Sequence, residues 1–172
     1  GKTLAFCLPI LNKIIPRRGL QALVLTPTRE LCVQVTDVFK DFGKTLGIRT
    51  TSVYGGVSIG PQIYDLRTSE IVIATPGRML DHLRRGTIDL RSIRILVLDE
   101  TDKMFEMGFV DDVEEIIRHI PQQRQLLMFS ATISEEVHRL ARKHLKHPVI
   151  VKTQSYVDHS KLKQVYYDIF EQ

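Results

Sequence analysis

The chain has 172 residues, 43% hydrophobic and 26% charged, which suits one domain with a sizeable core and is too apolar for a disordered segment. Lys and Arg outnumber Asp and Glu by 24 to 20, a mild surplus that fits a polyanionic partner without specifying one. No apolar run approaches the roughly 18 residues needed to span a bilayer, and "GKTLAFCLPILNKIIPRR" places its basic residues after its apolar ones, the reverse of a secretory signal. No membrane partner is expected, and a cytoplasmic setting is. Cys7 and Cys32 lie in helical patterns without CxxC pairing and read as reduced core thiols.

Taken in chain order, Gly1-Lys2-Thr3 leads into an apolar helical stretch, followed by a strand "ALVLT" at 22–26. Leu31, Val35, Val38, Phe39 and Phe42 recur at helical spacing. A second strand is expected at 49–54, then a helix carrying Gln62 and Arg67, which could touch a nucleic acid or simply face solvent. Strands follow at 70–75 and 93–99. Met104, Phe105, Met107 and Phe109 read as core, and Val113, Ile116, Ile117 and Ile120 as a helix face. A strand at 125–130 precedes His138, His144 and His147, whose spacing suits a basic helix end better than metal ligation. "PVIV" at 148–151 is the last expected strand before a connector, and "VYYDIF" begins a new strand-like run.

Short β-rich runs alternating with helical stretches predict a parallel sheet with crossover helices. In such sheets ligands bind outside the carboxyl ends of the strands. Here five strand ends carry small, polar or charged residues: "TPTRE", "YGG", "TPGR", "DETD" and "SAT". Five loops should therefore meet on one face.

Gly1-Lys2-Thr3 matches the end of the G-x-x-x-x-G-K-[ST] phosphate loop, in which the lysine reaches the β- and γ-phosphates and the Thr hydroxyl joins Mg²⁺. Alone it is equally a helix start. "LVLDE" tips the balance, because crowded carboxylates at the end of a buried strand call for a cation. Asp99 suits Mg²⁺, held through its water shell, and Glu100 can polarise a water facing the γ-phosphate. Together the two motifs point to ATP hydrolysis with Mg²⁺, with Lys2, Asp99 and Glu100 catalytic, Gly1 and Thr3 also holding nucleotide, and Thr3 and Asp99 serving the metal.

The order PTREL, GG, TPGR, DETD, SAT, with "IVIATPGRMLDHLRRG" and "LVLDETDKMFEMGF", resembles the first helicase domain of DEAD-box RNA helicases over essentially the whole chain. The resemblance implies a RecA-like α/β fold, a three-layer sandwich with a parallel sheet and helices on both faces. It further implies RNA-backbone contacts from Pro27, Thr28, Arg29, Gly55, Gly56, Thr75, Pro76, Gly77 and Arg78, with little sequence preference. Asp102 would bond toward Ser130 and Thr132 of Ser130-Ala131-Thr132, coupling nucleotide state to movement of a second helicase domain in cis.

Thr101 stands where the family name has alanine; it is small and its flanking acids are intact, so the chemistry is expected to survive. By the same resemblance, residues 1–152 are the first helicase domain without its opening strand and half of its phosphate loop, and 153–172 are a connector and the start of the second domain. The strand so missing would lie beside 125–130, so the 172-residue chain alone is expected to be marginally folded and without ATPase activity. The rival readings are an inert RNA-clamping module, disfavoured by the intact Asp99, Glu100, Ser130 and Thr132, and a DNA-translocating helicase, disfavoured by "PTREL" and "TPGR".

Overall fold

Four consecutive apolar residues with no alternation can satisfy a strand only if both faces of its sheet are covered. That is the situation of β1 (Ala22–Leu25), β3 (Ile71–Ala74) and β4 (Ile95–Leu98), buried along their whole lengths. With β2 (Thr50–Val53) and β5 (Gln125–Met128) they form a five-stranded, all-parallel sheet of order β2-β3-β1-β4-β5. The computed structural model describes residues 2–152. Gly1, the connector and the "VYYDIF" run lie outside the described residues.

Alternate side chains of each strand enter different cores. Leu23, Leu25, Val72, Leu96 and Leu98 face one that is closed by Met79 and Leu80 of α4 (Pro76–Arg84), Met104 of α5 (Thr101–Glu106), Val113, Ile116 and Ile117 of α6 (Val110–Arg118), and Leu140 of α7 (Glu135–His144). Ala22, Val24, Ile71, Ile73 and Val97 face the other, closed by Phe6, Cys7 and Ile10 of α1 (Lys2–Lys13) and Cys32, Val35 and Phe39 of α2 (Arg29–Gly43). Short α3 (Ile59–Leu66) adds Leu66 to the first core. The three-layer expectation is met. Both cysteines are buried free thiols whose pKa burial pushes up to about 11, as core positions require.

Five of the six expected strands form, each over four residues of its expected range, with the Thr26, Asp99 and Phe129 N–H groups still bonded to the neighbouring strand. The sixth does not. Residues 148–151 form no strand, and Val149 is 90% exposed. β-Branched composition supplies the propensity, but a strand also needs an edge to pair with and a face to bury. Phe42 on α2 and Met107, just past the end of α5, both expected as packed residues, are about half exposed.

At the opposite end of the sheet from the five loops, Glu70 is fully buried as β3 begins. Its carboxylate accepts from the Arg17 N–H at 2.9 Å, the Arg49 N–H at 2.7 Å and the Arg49 guanidinium at 3.0 Å. Burial pushes this carboxyl up, but the Arg49 and Arg17 donors outweigh it and hold it below the usual glutamate value. The arrangement anchors two loops and takes no part in the face described next.

Candidate nucleotide and RNA face

The strand order divides the five loops into two groups. After β2, β3 and β1 come Gly55-Gly56, Thr75–Arg78 and Pro27–Arg29; after β4 and β5 come Asp99–Asp102 and Ser130–Thr132.

On the second group's side, Asp99 is 4% exposed, and among the described residues its carboxylate accepts one hydrogen bond, from the Glu100 N–H at 3.1 Å. Burial pushes its carboxyl up, opposed by the Glu100 N–H bond, with the Glu100 charge adding to the rise and Lys2 pulling slightly the other way. Lys2 and Thr3 occupy the first turn of α1, Lys2 exposed and Thr3 half-buried. An under-bonded buried carboxylate is the donor that a hard cation needs. The described residues contain no cluster of three or more His, Cys, Asp or Glu side chains fit for a closed metal cage. His138, His144 and His147 accordingly form no such cluster.

Glu100 adopts φ 48° and ψ 52°, the left-handed region, which costs a non-glycine residue about 1–2 kcal/mol. The twist separates three successive side chains. Asp99 and Thr101 stay buried while Glu100 comes out 44% exposed, 3.8 Å from the Lys103 ammonium. Thr101, in the departure from the family name, is fully buried: its hydroxyl is 3.1 Å from the Phe129 carbonyl and its N–H donates there at 2.9 Å. The substitution thus fastens the end of β4 to the end of β5.

Asp102 and the Ser-Ala-Thr turn are brought together as expected. The Thr132 N–H and hydroxyl both donate to Asp102 Oδ2 at 2.8 Å, and the Asp102 N–H donates to Ser130 Oγ at 3.2 Å. Ser130 in turn donates to the Thr132 carbonyl at 2.6 Å. Burial pushes Asp102 up, but these donors prevail and hold its carboxyl below the ordinary aspartate range. Ala131 is exposed at the turn's tip and makes no side-chain hydrogen bond.

In the first group, Pro27 is buried and Thr28 caps α2 by accepting from the Leu31 N–H at 3.2 Å, so the two build the turn that presents Arg29. Arg29 is exposed, its guanidinium stacked over the Tyr54 ring at 4.9 Å and next to Gly56, whose φ of +80° demands glycine. Pro76 opens α4 as its first residue. The Thr75 side chain makes no cap bond, which leaves the first-turn N–H groups open. Gly77 is exposed there.

Arg78, expected among the RNA-backbone contacts, is turned largely into the protein. Its side chain is 14% exposed, and both terminal nitrogens donate to the Val57 carbonyl, at 3.1 and 3.0 Å. Gln62 differs more: neither a solvated residue nor an open RNA contact, it is buried. Its amide N–H donates to the Tyr54 carbonyl at 3.0 Å, and Oε1 accepts from Arg78 at 3.4 Å and faces His82 Nε2 at 3.1 Å. Since Oε1 only accepts, Nε2 carries the proton, and in neutral His82 the Nδ1 atom accepts from Thr87 Oγ1 at 2.8 Å. Burial first, then the Arg78 charge, hold His82 below its usual pKa, keeping it neutral. A buried glutamine, the fourth residue of a short helix, gives no periodicity signal, so only the fold reveals it. Arg67 remains exposed at the end of α3.

A parallel sheet covered on both faces, with an acid pair leaving a buried central strand and basic and glycine loops beside it, defines a RecA-like nucleotide-binding domain. A family model described as DEAD/DEAH box helicase matches residues 1–140, and the chain belongs to that family. It is 49% identical over 160 residues to the ATP-dependent RNA helicase DeaD of Klebsiella pneumoniae, covering 91% of this chain and 25% of that protein. The crystal structure of a DEAD box protein from the hyperthermophile Methanococcus jannaschii superposes with a TM-score of 0.83 at 40% identity, covering 86% of this chain and 40% of that one. That of a hypothetical ATP-dependent RNA helicase from Sulfolobus tokodaii gives 0.78 at 42% identity, covering 86% and 43%. The chain thus spans between a quarter and a half of the length of these relatives.

One consequence concerns Asp99. Because its folded-state pKa is raised, its ionised form opposes folding once the pH exceeds the unfolded value. Asp99→Asn keeps an oxygen for the Glu100 N–H and removes the buried charge. Its urea midpoint at pH 7 without nucleotide should exceed the wild-type value, whereas a lower midpoint would mean that the carboxylate is a net structural asset.

Proposed function

We propose that the full-length protein is an ATP-dependent RNA helicase, and that residues 1–152 are its first helicase domain, followed by a connector at 153–172 leading to a second domain in cis. The observation carrying this reading is the division of the face into an acid-bearing half and an arginine- and glycine-bearing half, joined through the same sheet. A cytoplasmic setting, with Cys7 and Cys32 as reduced thiols, belongs to the same reading.

Lys2 and the first turn of α1 bind the nucleotide phosphates. Thr3 and Asp99 are the groups that would hold Mg²⁺, which when bound neutralises developing phosphate charge. Glu100, half-exposed beside the buried Asp99, accepts the proton of the attacking water. Asp102, fixed by Thr132 and Ser130, transmits the state of the acid loop to the Ser-Ala-Thr turn and from there to the second domain. Arg29, the open N–H groups at the start of α4, and the glycines at 55 and 56 meet the RNA backbone, where contacts position the strand without reading its bases.

ATP turnover by the full-length protein, titrated with single-stranded RNA or DNA at several salt concentrations, tests the assignment. RNA should stimulate turnover, DNA should not, and affinity should fall steeply with salt but scarcely change with base composition. Arg29→Ala should weaken binding uniformly across sequences and flatten the salt slope by roughly one unit. Equal stimulation by DNA would favour the wider helicase superfamily, and absent turnover an inert RNA clamp.

A further inference from the structure

Three loops expected to touch RNA leave β1, β2 and β3, whose ends are joined by backbone bonds from the Thr26 N–H to the Ala74 carbonyl and from the Thr75 N–H to the Val53 carbonyl; past those bonds the loops need a further tie. Gln62 supplies one. It lies on α3, outside all three loops, yet it is buried at the point where they meet. Through its N–H it holds the Tyr54 carbonyl, immediately before Gly55-Gly56. The same residue's ring supports the Arg29 guanidinium, so the loop after β1 is tied to this point as well. Through Oε1 it meets Arg78 and His82, both on α4 behind Thr75-Pro76-Gly77. Arg78 closes the circuit by donating twice to the Val57 carbonyl, one residue beyond Gly56.

We propose that Gln62 is a positioning residue for RNA, its amide locking the loops after β1, β2 and β3 into one preset surface. The proposal rests on the RNA reading above. Gln62 itself is buried and contributes no charge, so it acts through Arg29, the two glycines and the start of α4. Each of those can still reach a phosphate when Gln62 is replaced, but their spacing must then be set upon binding. A preset surface binds more tightly than one that must be ordered, and the difference appears in affinity, not in the number of ionic contacts.

The experiment uses the full-length protein and a fluorescent single-stranded RNA. Gln62→Met retains the buried volume and loses every hydrogen bond. Gln62→Glu keeps an oxygen toward Arg78 and His82 and replaces the donor to the Tyr54 carbonyl with a second carboxylate oxygen, its charge compensated by Arg78. The Met variant should raise the RNA Kd about tenfold, with the salt slope unchanged and with kcat at saturating RNA and KM for ATP within twofold of wild type. The Glu variant should lie between it and wild type. This pattern differs from that of Arg29→Ala, which removes an ionic contact and lowers the slope. Wild-type RNA affinity in the Met variant would overturn the proposal. So would a parallel loss of RNA and ATP affinity, or loss of the cooperative thermal transition in both variants, either of which would assign Gln62 to folding alone. Failure of the wild-type protein to bind RNA would instead overturn the RNA reading, so the two failures are distinguishable.

Discussion

In the full-length protein, Glu100→Gln should lower ATP turnover by about 10² to 10⁴, the usual contribution of one positioned base. ATP affinity should stay within a few-fold of wild type, because the groups assigned to phosphate and metal are Lys2, Thr3 and Asp99. Glu100 and not its neighbour is the proposed base, on the ground of exposure. Asp99 is buried with the strand, whereas the left-handed backbone at Glu100 turns that carboxylate partly into solvent, where water is available. An amide is isosteric and keeps the left-handed backbone, so the substitution isolates proton acceptance from loop geometry. RNA should be held longer in the presence of ATP, since release awaits hydrolysis. Single-turnover ATP hydrolysis and RNA dissociation rates measure both effects. Turnover within a few-fold of wild type would transfer the base role away from Glu100.

Glu70→Ala should destabilise the protein by about 2–6 kcal/mol, since it removes the acceptor of two backbone N–H groups and leaves each to bear a desolvation cost of roughly 1–3 kcal/mol. The Arg49 side chain is half exposed and can be rehydrated, so its loss adds little. The effect carries a pH signature. Glu70 has a folded-state pKa below its unfolded value, so its stabilisation is fully present above the unfolded value near 4.5 and is lost as pH falls through the folded value. Urea midpoints of wild type and Glu70→Ala should therefore converge on acidification below pH 4.5 and differ most at neutral pH. A constant gap across that range would show that the carboxylate's charge is not what stabilises this corner. ATP turnover per folded molecule should be unchanged, because Glu70 lies at the far end of β3 from the loops.

Periodicity is a local property, and what it controls was legible. The apolar runs ending at Thr26, Thr75 and Asp99 specify buried parallel strands, the spacing of Val35 and Phe39 specifies a helix face, and the acids at the end of β4 stand out before any fold is known. The motif order likewise carried the family. Lateral order is not local. That β2, β3 and β1 lie together on one side and β4 and β5 on the other depends on which strand edges and covered faces meet across the whole chain. Only that choice places Asp102 against Thr132, 30 residues on, and Gln62 against His82, 20 residues on. The same competition turns Arg78 inward to Val57, because a guanidinium near an unpaired carbonyl gains more from that fork than from water. It also leaves 148–151 outside the sheet, since β-propensity becomes a strand only where an edge is offered. The sequence by itself determined the layers, the family and the groups fit for chemistry, because these follow from spacing along the chain. Tertiary structure decided which of those groups face solvent and which hold the others in place, because burial and hydrogen bonding are settled between segments distant in sequence.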